Sequence, residues 1–146
     1  MVLVTVPVPQ FLNDVSVTPK ISDTLLAELQ AIQYSNRFAL SCFYNSNIDL
    51  GTEFVGGYTY PGAIRYWSVD NKKRDVTGGT SLLLHTMTDF HPDQTIAEAM
   101  PFLRDELKKL FPNCPEPDEI VGHKWKYSQP SRSMVNHPGA FITLQL

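Results

Sequence analysis

An α+β fold, with two main helices packed on a mostly antiparallel sheet, is predicted by three features of the sequence. Aromatic and β-branched residues gather in short runs between turn signals from Arg37 to Val69. A long amphipathic stretch starts at Thr95. The elements follow one another as strand, helix, several strands, helix and two strands, without the regular strand–helix alternation of a parallel sheet. With 146 residues, 42% hydrophobic and 18% charged, the chain is long enough and apolar enough to bury a core, and one folded unit over residues 1–146 is expected.

Taken in order, Val2, Val4, Val6 and Val8 alternate along Val2-Leu3-Val4-Thr5-Val6-Pro7-Val8, and the residues between them are also largely apolar, which predicts a strand covered on both faces. Ser22 or Asp23 can cap a helix that carries Leu25, Leu29 and Ile32 on one face and ends near Tyr34. Three strands in an antiparallel meander are expected from Arg37 to Tyr44, Phe54 to Tyr60 and Ala63 to Val69, divided by Asn-Ser-Asn and Tyr-Pro-Gly turns. The segment Ser68 to Arg74 reads as a polar loop closed by Gly78-Gly79, followed by a strand from Ser81 to Met87.

Thr95 and Glu98 have capping-box spacing. Ile96, Met100, Leu103, Leu107 and Leu110 follow as one apolar stripe, and Lys108 and Lys109 suit the negative end of the helix dipole. Pro101 predicts a kink or a later start, because it removes one backbone hydrogen bond. Pro112, Pro115 and Pro117 end the helix. Strands are expected at Glu119 to Tyr127 and at Ala140 to Leu146.

The charge balance excludes some partners. Lys+Arg number 12 against Asp+Glu 15, a formal net charge of -3, so no general field draws the chain to nucleic acid or anionic lipid. The first apolar segment contains Pro7 and Pro9 and has no basic flank, so neither a signal peptide nor membrane insertion is expected. Cys42 and Cys114 lack the spacing of a disulfide scaffold or a zinc site, which favours a reducing intracellular compartment, with Cys42 as a small core side chain and Cys114 as an incidental thiol.

No phosphate loop, nucleophile elbow, HExxH or paired-cysteine site occurs, and His85, His91, His123 and His137 lack metal-ligand spacing. His85 interrupts the apolar strand Leu82-Leu83-Leu84, where a hydrogen-bonded structural imidazole is the alternative to a catalytic base. Trp125 and Tyr127 share a strand face and can stack on a planar ligand or fill a core. Arg65 needs an anionic partner if it is buried and none if it faces solvent. Lys72-Lys73-Arg74 is read as a solvated loop tip.

Several segments, in this order, resemble renalase-type flavin amine oxidases: Val4-Thr5-Val6-Pro7-Val8-Pro9-Gln10, Tyr34-Ser35-Asn36-Arg37-Phe38-Ala39-Leu40, Ile64-Arg65-Tyr66, Ser68 to Arg74, and Lys124-Trp125-Lys126-Tyr127-Ser128-Gln129. The resemblance implies the substrate domain of an FAD-dependent oxidoreductase that oxidises misplaced-hydride isomers of NAD(P)H, or amines, with oxygen reduced to peroxide. It also implies that Trp125 and Tyr127, with Arg65 and His85, lie near the ligand cavity. Lys126 departs from the arginine that commonly follows the tryptophan, which removes a planar bidentate donor.

The family's GxGxxG turn and its Gly-rich flavin segment have no counterpart in the sequence, so FAD is not expected to bind this chain alone. Two functions follow. The first is a non-catalytic binding or structural subunit of a larger assembly, and the second is one piece of an oxidoreductase completed by a separate flavin-binding segment or chain. Both require a protein partner, and Val2, Val4, Val6 and Val8 are the expected interface.

Overall fold

The structure is a computed structural model that describes residues 4–13 and 21–134. Its elements are α1 (Val8–Asn13), α2 (Asp23–Gln30), β1 (Gln33–Tyr44), β2 (Gly56–Tyr58), β3 (Ile64–Val69), α3 (Asp70–Lys73), β4 (Thr80–Thr86), α4 (Ile96–Leu110) and β5 (Glu119–Arg132). The strands form one sheet in the order β2-β3-β4-β1-β5, with antiparallel pairing of β2 with β3, β3 with β4 and β4 with β1. The fold is α+β. By its contacts the chain divides into two compact units, Asn36–Lys126 and the residues on either side of it.

The larger unit is organised by α4. The Thr95 hydroxyl accepts from the Glu98 N–H at 3.3 Å while the Glu98 carboxylate accepts from the Thr95 N–H at 2.7 Å, so the expected capping box is formed. The helix starts at Ile96 and continues through Pro101. Burial of Ala99, Leu103 and Leu107 against the sheet outweighs the one backbone hydrogen bond that the proline removes. Ile96, Met100 and Leu110 flank this stripe and are partly buried.

The facing surface is supplied by alternate residues of the strands. Phe38, Leu40, Cys42 and Tyr44 of β1, Leu82 and Leu84 of β4, and Val69 of β3 are all buried with the α4 stripe in one core. Thr86 is buried as well, and its hydroxyl is satisfied by accepting from the Phe38 N–H and donating to the Met87 carbonyl. Two glycines admit close approaches. A Cβ on Gly122 would lie 2.6 Å from both Ile96 Cγ1 and Met100 Cε, and one on Gly79, where φ is +140°, would lie 2.5 Å from the Tyr44 carbonyl oxygen.

The smaller unit holds α1 and α2. Ser22 caps α2 by accepting from the Leu25 N–H, and the helix ends at Gln30, ahead of the expected Tyr34, because β1 already begins at Gln33. The strand expected over Val2 to Val8 is not formed in its described part. Val4 to Pro7 are irregular and Val8 opens α1. Pro7 and Pro9 explain the difference, since proline is suited to the first turn of a helix, where the N–H has no acceptor in any case. The Val8 N–H instead donates to the Tyr34 hydroxyl at 3.1 Å. Val2 and the strand expected from Ala140 to Leu146 lie outside the described residues.

Two further expectations change. The meander is β2-β3-β4, and β1 pairs with β4 (Ala39 with His85, Ser41 with Leu83), because the β1–β2 connection leaves the sheet and re-enters at its far edge. The segment read as a polar loop from Ser68 to Arg74 contains the end of β3 and the short helix α3, held to β4 by reciprocal hydrogen bonds between Asn71 and Ser81. Arg74 pairs with Asp70 at 2.8 Å, so the basic cluster is partly neutralised at a solvated turn.

Two outcomes are expected. Leu107→Ala should destabilise the chain by about 2–5 kcal/mol in a denaturant titration, whereas Lys108→Ala, which removes only an exposed pair with Glu116, should be nearly neutral. Gly79→Ala should cost about 1–3 kcal/mol, because it combines an unfavourable φ with a backbone collision. A midpoint equal to that of the parent chain would show that the turn can move away from Tyr44.

Candidate ligand-binding face

Because strand side chains alternate, the residues between the core positions point to the face opposite α4. Register places Tyr66, His85 and Ala39 in one row across β3, β4 and β1, with Ser68, Leu83 and Ser41 in the next. At the edge strand, Tyr58 pairs with Tyr66. The ring centroids of Tyr58 and Tyr66 are 5.3 Å apart and those of Tyr66 and His85 are 5.9 Å apart, so three aromatic side chains step across three strands. Burial falls along the series, from half-buried His85 and Tyr66 to Tyr58, which is 84% exposed.

His85 is the electrostatic centre of this row. Burial, and secondarily the positive charge of Arg37, hold its imidazole below the usual value of 6.5. At neutral pH it therefore presents one N–H donor and one nitrogen acceptor without a charge. The residues in register beside it, Tyr66 and Ala39, and the alternate residue Leu83 carry no carboxylate.

The strand β5 contributes a second aromatic group. Val121, His123 and Trp125 alternate as exposed residues, and the rings of His123 and Trp125 meet at 4.7 Å with Trp125 52% exposed. Lys124 points the other way. Its ammonium donates to the carbonyls of Pro92 at 2.5 Å and Gln94 at 2.7 Å and lies 5.5 Å from the Phe38 ring centre, which fixes the approach to α4 and leaves the lysine to a structural task.

The four residues expected near a ligand cavity thus enter different contacts. His85 meets Tyr66 edge-on and Trp125 meets His123 edge-on, both within the larger unit. Tyr127 packs edge-on to Tyr34 at 5.4 Å in the smaller unit. Arg65 donates to the Thr59 carbonyl and lies 5.0 Å from the centre of the Tyr60 ring, where it braces the β2–β3 turn. Neither Tyr58 nor His123 is among the cavity residues expected from the sequence. The available signals were the i, i+2 spacing of His123 and Trp125 on one strand and the pairing of Tyr58 with Tyr66, and the second needs the register to be known.

No group of His, Cys, Asp and Glu among the described residues is arranged to hold a metal ion. Cys42 is fully buried, and burial, followed by the proximity of Cys114, pushes its thiol up to about 12, so it is a packing residue and not a nucleophile. The Tyr44 hydroxyl, 2.7 Å from Cys114 Sγ, is likewise raised, first by burial and then by that hydrogen bond.

Protonating His85 should weaken the fold. Its folded value lies below its unfolded one, so the stabilisation is complete above about pH 6.5 and is lost as pH falls from there through the lowered value. In thermal unfolding at pH 7.5 and pH 5, the parent chain should lose more stability on acidification than His85→Gln. An equal loss in the two proteins would place the titrating group elsewhere.

No protein-family profile matches the chain. Its sequence is 31% identical to mouse renalase (Mus musculus) over 155 aligned residues, covering 100% of this chain and 45% of renalase. The chain thus spans less than half the length of the curated relative it matches. A crystal structure from Exiguobacterium sp. 255-15, provisionally assigned as a protoporphyrinogen oxidase, superposes with a TM-score of 0.65 at 14% identity, over 90% of this chain and 30% of that one. A Pyrococcus furiosus protein does so with a TM-score of 0.50 at 15% identity, over 70% of this chain and 26% of the other. Among the described residues, no helix is long and apolar enough to cross a membrane. Over its whole length the sequence is similar to one part of renalase, and its α+β fold is similar to part of the Exiguobacterium structure.

Proposed function

We propose that this chain is the substrate-facing part of a renalase-like oxidoreductase, and that the flavin is bound by residues outside it. The observation that carries the reading is the aromatic row Tyr58–Tyr66–His85 on the sheet face that α4 leaves uncovered. Rings stepped across adjacent strands suit a flat ligand, and a neutral His85 can hydrogen-bond to it without charge.

The charge of the face bears on the substrate. An alkylamine is a cation at neutral pH and needs a carboxylate or an aromatic cage, but the charged group acting on His85 is Arg37. A neutral dihydronicotinamide ring carrying phosphate elsewhere fits this surface better than a protonated amine. Hydride chemistry would be supplied by the bound flavin, and the residues of this chain would stack on the substrate ring and orient it.

FAD itself is a poor fit to the described residues. A dinucleotide pyrophosphate needs a glycine turn opening a helix, whereas Gly56-Gly57 lie in β2 and Gly78-Gly79 lead into β4. The N-terminus of α4 is closed by the Glu98 carboxylate, which would repel a phosphate. The flavin-binding part is then a protein partner, whether covalently continuous or separate. Val4 and Val6, both about half exposed, remain proposed contacts for it, though not as a strand.

Two measurements test this. The chain mixed with excess FAD and passed through gel filtration should emerge without stoichiometric flavin absorbance. Joined to the portion of mouse renalase that it does not match, it should support dihydronicotinamide oxidation. In that hybrid, Tyr66→Ala and His85→Ala should raise KM roughly three- to tenfold, the effect of one lost ring contact of ~0.5–1.5 kcal/mol, with flavin content unchanged. Unchanged KM in both variants would favour a purely structural or binding subunit instead.

A further inference from the structure

We draw no further inference here: the strongest candidate, the side-chain cluster of Cys42, Tyr44 and Cys114 where β1 meets the segment after α4, carries nothing, because Cys42 is fully buried, Cys114 is held by the Tyr44 hydroxyl, and nothing in the structure points to a ligand there.

Discussion

The burial of α4 on one side of the sheet is the contact on which the larger unit depends. Ala99, Leu103 and Leu107 press against Phe38, Leu40, Leu82 and Leu84, and this contact decides which residues of every neighbouring strand are core. Strand alternation allows no compromise, since a slip of one residue would exchange the two faces completely. Once Leu82 and Leu84 face the helix, Leu83 and His85 must face away from it. The position of the aromatic row is thus a consequence of hydrophobic packing on the other side of the same strands.

The small residues and hydrogen bonds near this contact serve it in definite ways. Gly122 lets β5 approach Ile96 and Met100, and Lys124 ties the segment before α4 to β5 through two backbone carbonyls. Asp89 works from the β1 side. Its carboxylate accepts from the Asn36 N–H and side-chain amide while its own backbone adopts a φ of 54°, a conformation that costs a non-glycine residue energy and is held by these bonds. The connection from β4 to α4 is therefore anchored at both ends, and the strand carrying His85 is held in register with the helix that covers its other side.

The two faces of the sheet differ in composition. The α4 face is apolar and closed, whereas the opposite face mixes rings with small polar residues such as Ser41 and Ser68. The similarity to part of renalase runs over the whole chain, and the fold is similar to part of the Exiguobacterium structure. The matching region makes up less than half of renalase.

Local chemistry was legible wherever the signal lay within a few residues. The capping box at Thr95 and Glu98, the apolar stripe of α4, the Ser22 cap and the cores of β1, β3 and β4 all follow from short-range spacing, since caps and amphipathic periods act within one or two turns. The failures also have local causes. Val2 to Val8 carries a strand pattern, but prolines in a helical first turn are equally satisfied, and only the contact of the Val8 N–H with the distant Tyr34 hydroxyl reveals the outcome for its described part. Trp125 and Tyr127 share strand parity, yet they pack against different partners, His123 and Tyr34. By itself the sequence determined the fold class, the principal helix and which strands carry aromatic side chains. The tertiary structure decided that β1 lies beside β4, that Tyr58, Tyr66 and His85 fall into line, and that Lys124 turns away from them, because pairing between strands distant in sequence is set by burial of the whole sheet and not by any one segment.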